Sequence, residues 1–174
     1  EHIHLPIQSG SDRVLALMNR GYSRSDYLRK VERLRSACPD IALSSDIIVG
    51  FPGEGEEDFR QTLDLIDKIG FDNLFSFAYS RREGTAALSF PDHVSDQEKK
   101  ERLQCLQARQ EEFTLANNRK QEGRLVEVLV EGRSRNTSED VTGRTRTNRI
   151  VNFQAGADLV GTMVFVRVQQ AYLH

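Results

Sequence analysis

The chain opens with three short alternating stretches, each followed by a run of helical period. In "HIHLPIQ", Ile3, Leu5 and Ile7 take one face and His4, Pro6 and Gln8 the other, which predicts a strand. "IALSSDIIVG" divides the same way, with Ile41, Leu43, Ile47 and Val49 apolar against Ala42, Ser44, Asp46 and Gly50. "NLFSFAYS" predicts a third strand. The runs between and after them predict helices. "SRSDYLRKVERLRSACPD" starts with a capping box, Ser23 to Asp26, carries Leu28, Val31, Leu34 and Cys38 as a stripe, and stops before Pro39. "EGEEDFRQTLDLIDKIG" places Phe59, Leu63, Ile66 and Ile69 on one side and ends at Gly70. "SDQEKKERLQCLQARQEEFTLANNRK" has a second box, Ser95 to Glu98, and predicts a long helix. Strands separated by helices of this length pair in parallel through right-handed crossovers.

The pattern changes at Gly123. "RLVEVLVEG" alternates with Val126, Val128 and Val130 on one side, "VTGRTRTNRIVNF" predicts a hairpin turning near Thr147-Asn148, and "VGTMVFVRVQQ" alternates again. Short strands without long helices predict a small β barrel of the OB type. The fold class expected is therefore α/β, a partial (β/α) barrel of parallel strands followed by a small OB-like β barrel.

Composition adds three points. No run of the 174 residues is apolar and long enough for a membrane-spanning helix, and a cytoplasmic protein is expected. The formal charge of −2 conceals an asymmetry, net −4 over residues 1–122 and net +2 over 123–174, and a mildly basic tail is compatible with nucleic acid. The two cysteines, Cys38 and Cys105, stand far apart in sequence, which argues for a reducing compartment and against a metal or iron–sulfur site in this stretch alone.

Candidate chemistry gathers at the strand ends, where α/β sheets bind their ligands. Asp46 shares a phase with small residues and, if the apolar face meets the helices, points into the barrel, where a carboxylate requires a ribose hydroxyl or a cation as partner; a structural hydrogen bond is the alternative. Gly50, Phe51, Pro52 and Gly53 form a corner that lets backbone approach a flat ligand such as adenine, although a plain tight turn accounts for them nearly as well. Gln8, leading into Ser9 and Ser11, puts an amide and hydroxyls at the same edge. Arg20 is either a carboxylate binder or a solvated surface arginine. His2 and His4 share a face without further metal ligands at suitable spacing, so a structural histidine is expected. In the tail, Arg144 and Arg146 share a hairpin face, Arg149 follows the turn, and Asn148 and Phe153 lie nearby. This group either holds phosphates and stacks on a base or forms an ordinary charged face.

"HLPIQSGSDRVLALMNRGYSRSDYL", "SSDIIVGFPGEGEEDF", "FSFAYSRREGTAA" and "GRTRTNRIVNF" occur in this order along the chain. Together they resemble the radical S-adenosylmethionine (SAM) methylthiotransferases, most closely the MiaB-type tRNA enzymes. The resemblance implies a carboxyl-terminal fragment: residues 1–116 as the second half of a radical SAM barrel and residues 117–174 as a TRAM RNA-binding domain. It implies SAM as cofactor, contacted by Gln8, Ser9, Arg20, Asp46, Gly50, Phe51, Pro52 and Gly53. It also implies two 4Fe–4S clusters in the full-length protein, with ligands absent from this chain, so no metal ligand and no catalytic acid or base is assigned here. RNA contacts would be Arg144, Arg146, Asn148, Arg149 and Phe153.

The activity implied is insertion of sulfur and a methyl group into isopentenyl-adenosine next to the anticodon, giving the 2-methylthio nucleoside. The partners implied are the anticodon stem-loop of tRNA and an electron donor such as flavodoxin or ferredoxin, with a monomeric enzyme and no membrane. Two rivals in the class act on threonylcarbamoyl-adenosine or on a ribosomal protein. A rival of another class is a non-catalytic RNA-binding fragment. The chain departs from the family pattern at Gly55, where a threonine cap is usual, in the loop at Arg81, Glu83 and Ala86, which lacks prolines, and at Arg146-Thr147, which makes the hairpin more basic.

Overall fold

A computed structural model describes every residue except 92, 136, 138 and 174. The chain divides into two compact units, Ile3–Thr114 and Leu115–His174 together with Glu1–His2.

In the first unit the strands β1 (His2–His4), β2 (Ala42–Val49) and β3 (Asn73–Ala78) make a sheet in the order β1-β2-β3. β2 and β3 run parallel, with Asp46 opposite Phe75 and Ile48 opposite Phe77. The first strand is shorter than its alternation predicts. Leu5 N–H still donates to the Ser44 carbonyl at 2.8 Å, but Ile7 N–H, the next to face β2, donates instead to the Ser45 hydroxyl at 3.1 Å, and regular pairing stops. Backbone-to-backbone pairing resumes at Gln8, whose N–H donates to the Asp46 carbonyl at 2.9 Å and whose carbonyl accepts from Ile48 N–H at 2.9 Å. Gln8 makes this return with a φ of 77°, the left-handed region, a conformation uncommon for a non-glycine residue.

Helices α1 (Asp12–Leu17), α2 (Arg24–Ala37), α3 (Glu56–Ile69) and α4 (Asp96–Arg119) complete the unit, α4 running on past Thr114 into the second. The predicted capping box of α2 is complete. Ser23 Oγ accepts from Asp26 N–H at 3.1 Å, and the Asp26 carboxylate accepts from Ser23 N–H at 2.9 Å. α3 ends as expected on Gly70 at φ 60°. Tyr27 and Val31 of α2, and Phe59, Leu65, Ile66 and Ile69 of α3, close over Leu43, Ile47 and Val49 of β2. α4 differs from the other helices: its buried residues are Lys99, Arg102, Leu106 and Gln110. Three of these four are polar, and the apolar part of the packing face is sparse: Leu106 is buried, while Leu103 and Phe113 beside it are only partly buried against the core. Gln110 Nε2 donates to the Phe71 carbonyl at 2.9 Å, and Thr114 Oγ1 donates to the Asp72 carbonyl at 3.0 Å.

The second unit is an antiparallel sheet of β4 (Leu125–Arg133), β5 (Asp140–Thr145), β6 (Ile150–Gln154) and β7 (Met163–Arg167), in the order β6-β5-β4-β7. Val128, Val130 and Val141 bury one face. Register shifts at a bulge between Val130 and Gly132. Beside it, β5 approaches β4 so closely that a Cβ on Gly143 would stand 2.3 Å from the Leu129 carbonyl oxygen. The predicted hairpin joins β5 to β6, turning through Asn148 at φ 63°, a conformation asparagine tolerates better than most residues. No helix of the described residues is long and apolar enough to cross a membrane.

Candidate functional site

The face of the parallel sheet opposite the helices carries its chemistry in phase with Asp46, as the alternation of β2 predicts. Leu43, Ile47 and Val49 are buried toward the helices, while Asp46 and Ile48 remain half-exposed. Phe75 and Phe77 of β3 lie opposite Asp46 and Ile48 with exposures of 49% and 53%. Two open aromatic faces beside a half-exposed carboxylate fit a ligand that presents a flat base and hydroxyl groups. Asp46 has a neighbour here that residue spacing alone does not assign to it. His4 Nε2 lies 3.3 Å from Asp46 Oδ1, its Nδ1 lies 3.0 Å from Ser44 Oγ, and its ring meets Phe75 edge-on at 5.7 Å.

The corner after β2 is held from both sides. Gly50, at φ 72°, lies under the stem of Lys99, whose Cγ would be 2.4 Å from a Cβ placed there. Gly50 is thus required by α4 packing as well as by its backbone. Phe51 is buried against Tyr79, edge to face at 5.2 Å, and against Phe90; Pro52 is buried and Gly53 half-buried. Glu54 closes the turn, accepting from Gly50 N–H at 2.8 Å and from Arg102 Nη1 at 2.7 Å. Burial pushes the Glu54 carboxyl up from its ordinary value, against the opposing effects of Gly50 N–H and Arg102. The Glu54–Arg102 pair spans 48 residues, and no local pattern announces it.

A second carboxylate organises the start of α3. Asp58 accepts from Ser11 Oγ at 2.6 Å and from Gly55 N–H at 2.8 Å, and pairs with Arg13. Burial alone would raise the Asp58 carboxyl, but Arg13, the Ser11 hydroxyl and Gly55 N–H together hold it below the usual aspartate value.

The expected cofactor residues are therefore brought together unevenly. Gln8 bridges to β2 beside Asp46, and Gly50 to Gly53 follow at the end of the same strand. Ser9 lies beneath the face rather than on it. It is fully buried, with its hydroxyl 3.2 Å from Ser11 N and 3.5 Å from Thr62 Oγ1 of α3. Arg20 is exposed beyond α1, lining a shallow depression with Asp12, Tyr22 and Asp26, and no described contact connects it to Asp46. Cys38 ends α2 and Cys105 stands exposed on α4. They do not fit an iron–sulfur cluster, and among the described residues no group of His, Cys, Asp and Glu approaches a ligand set.

The hairpin residues separate onto two faces. Arg144 reaches Glu131 at 3.3 Å and Asn148 Oδ1 at 3.0 Å, and Arg146 pairs with Glu127. Arg149 turns the other way, toward Thr147 Oγ1 at 2.7 Å and Asn118 Oδ1 at 3.2 Å. Phe153 is opposite buried Val141 and half-buried. Because paired residues share a face, its ring belongs to the Val128 side of the sheet, away from Arg144. The Arg144 face instead presents Leu129, Ile150, Met163 and Phe165, of which Phe165 is 69% exposed. The alternation of β7 already sets Phe165 apart from Val164 and Val166.

Comparison with known proteins bears on both units. Residues 1–66 match the Radical SAM superfamily and residues 119–174 the TRAM domain. A tRNA-2-methylthio-N(6)-dimethylallyladenosine synthase of Syntrophus aciditrophicus is 62% identical over 99% of this chain and 38% of its own length. The protein of the same name from Syntrophobacter fumaroxidans is 53% identical over 100% of the chain and 38% of its own length. The chain thus spans about 38% of the length of these two curated relatives. Among solved structures, the radical SAM enzyme coproporphyrinogen III oxidase (HemN) of Escherichia coli superposes with a TM-score of 0.56, at 16% identity, over 91% of this chain and 46% of that one. That likeness concerns the fold. The chain thus joins a segment that matches the Radical SAM superfamily to one that matches the TRAM domain, and along its whole length it is similar to part of the proteins named tRNA-2-methylthio-N(6)-dimethylallyladenosine synthases.

Proposed function

We propose that the chain is the carboxyl-terminal part of a tRNA methylthiotransferase that converts isopentenyl-adenosine next to the anticodon into its 2-methylthio derivative. The observation that carries this reading is the 62% identity over 99% of the chain to a synthase of that name. Residues 1–116 are read as the second half of a radical SAM barrel, and residues 117–174 as a TRAM domain with an OB-like barrel. The bulge at Val130/Gly132 and the close β4–β5 approach at Gly143 favour the strong coiling such a barrel requires.

In this reading SAM lies on the open sheet face. Asp46 and Gln8 bind its ribose or methionine part, and the Gly50–Gly53 corner carries backbone close to its adenine. Arg20 is kept as a contact to the ribose or methionine part of the cofactor by resemblance alone. When bound, the cofactor supplies a deoxyadenosyl radical able to take hydrogen from an unactivated carbon. The chain's own residues bind and orient: Phe75 and Phe77 offer apolar surface, and the Phe51–Tyr79–Phe90 packing keeps the corner rigid and dry. Two 4Fe–4S clusters and an electron donor such as flavodoxin or ferredoxin are assigned to the full-length enzyme, a cytoplasmic monomer. The anticodon stem-loop is assigned to the tail, with Arg144, Arg146 and Asn148 as its first contacts.

Mass spectrometry of tRNA nucleosides from cells with and without the full-length gene tests this. Loss of 2-methylthio-isopentenyl-adenosine with accumulation of isopentenyl-adenosine is the expected result. Persistence of that nucleoside, with loss of the methylthio group from threonylcarbamoyl-adenosine, would replace the substrate. No change in any nucleoside would overturn the tRNA assignment.

A further inference from the structure

Three polar side chains on the open face of the parallel sheet form a continuous series. His4 Nε2 lies 3.3 Å from Asp46 Oδ1, and His4 Nδ1 lies 3.0 Å from Ser44 Oγ. The partners decide where the ring hydrogen sits. An ionised carboxylate only accepts, so Nε2 donates to Asp46, and in the neutral ring Nδ1 accepts from the Ser44 hydroxyl. Ser44 is buried at 2% exposure in the central strand, and the edge-on contact with Phe75 restrains the ring plane. The series thus runs from a fixed point in the core to a carboxylate that is 30% exposed. Asp46 Oδ2 takes no hydrogen bond from the described residues, so the oxygen that His4 does not hold is the one available to a ligand.

We propose that His4 is a positioning residue for cofactor binding: its Nε2–H sets the Asp46 carboxylate so that the second oxygen accepts from a hydroxyl of the bound nucleoside. This rests on the reading of the open face as the SAM site. Such an arrangement, a ring nitrogen oriented through its other nitrogen, is how a histidine is given one donor direction. A carboxylate held before the ligand arrives loses less freedom on binding than one that must be ordered by it.

The test is titration of the full-length protein with S-adenosylhomocysteine, comparing His4→Phe, His4→Gln, Asp46→Asn and the double variant His4→Phe/Asp46→Asn. His4→Phe keeps an aromatic ring against Phe75 but removes the donor, whereas His4→Gln restores an N–H. Asp46→Asn is expected to weaken binding about tenfold and His4→Phe about fivefold, near the worth of one hydrogen bond to a charged group. His4→Gln should recover most of the loss, and the double variant should bind no more weakly than Asp46→Asn alone. If His4→Phe binds as the wild type while Asp46→Asn is weakened, the role of His4 falls and the site reading stands. Full additivity in the double variant would likewise overturn it, since His4 would then act by another route. Binding unchanged in every variant would remove the cofactor from this face, and both readings would fall together. Should His4→Phe fail to fold, Ser44→Ala carries the test by releasing the ring, with an expected weakening of about twofold.

Discussion

Arg102 Nη1 lies 2.7 Å from Glu54 Oε1 and 3.1 Å from the Glu54 carbonyl oxygen, so one guanidinium of α4 holds both the side chain and the backbone that close the corner after β2. The two side chains are 5% and 1% exposed. A buried ion pair adds little over a well-packed apolar pair, but removing one member leaves an uncompensated charge.

Arg102→Ala is therefore expected to destabilise the first unit by about 3–5 kcal/mol. Glu54→Gln/Arg102→Met should recover part of that loss. Chemical denaturation followed by circular dichroism measures both, and an Arg102→Ala chain within about 1 kcal/mol of wild type would contradict the buried pair.

Asp58 makes stability depend on pH with a definite sign. Its folded carboxyl is held below the unfolded value, so its contribution is present above the unfolded value and is lost as pH falls through the folded one. Asp58→Asn should cost about 2 kcal/mol at pH 7. The gap between variant and wild-type melting temperatures should then close below about pH 4. A gap of constant size down to about pH 2 would rule the network out.

At the α3 N-cap, Gly55 has φ −90° and ψ 175°, an extended conformation open to any residue, and a Cβ there would touch Asp58 Oδ2 at an ordinary 3.5 Å. Gly55→Ser supplies the missing cap hydroxyl and should stabilise the chain by a few tenths of a kcal/mol, roughly the glycine-to-serine difference at caps. The denaturation midpoint reads it directly.

Gly143→Ala should open the β4–β5 ladder, because the new methyl meets the Leu129 carbonyl oxygen at 2.3 Å and Val128 Cγ1 at 2.6 Å. The expected cost is about 1–3 kcal/mol, that of forcing a methyl into a filled space. Hydrogen exchange should accelerate at Val128 and Leu129 while Ile47 in β2 keeps its protection.

On the hairpin, Arg146→Ala should lower the salt dependence of tRNA binding by a slope of roughly 1, the release of one phosphate's counterion. Phe153→Ala, on the opposite face, should leave that slope unchanged and act on stability instead. An unchanged slope for Arg146→Ala would put that arginine outside the interface.

Elements with a hydrophobic period are legible in the amino-acid sequence itself. The Ser23–Asp26 box, the Phe59–Ile66–Ile69 stripe and the turn through Asn148 stand where local rules put them. Asp46 is legible for the same reason, since a strand's period of two separates its faces. Alternation over-extends the first strand because it carries no information about the Ser45 hydroxyl that takes the Ile7 N–H. Nearness in sequence groups Phe153 with the arginines, whereas the ladder register turns it toward Val141. Glu54, Lys99 and Arg102 escape for a deeper reason: buried polar residues look like solvated ones until a partner from a distant element is brought to them.

The polar packing of α4 also bears on how the corner responds to temperature. Burial of hydrocarbon gives unfolding its large positive heat capacity, and burial of polar surface contributes with the opposite sign. Of the four buried residues on α4, only Leu106 is apolar, whereas α3 buries Phe59, Leu65, Ile66 and Ile69. Detaching α4, which adds only the partly buried Leu103 and Phe113 to Leu106, should therefore carry a smaller heat-capacity change than detaching α3. On cooling, the hydrophobic grip on α3 weakens, while the hydrogen bonds from Arg102 to the corner hold nearly as before. The clasp on Gly50 and Glu54 is thus less sensitive to cold than the grip on α3.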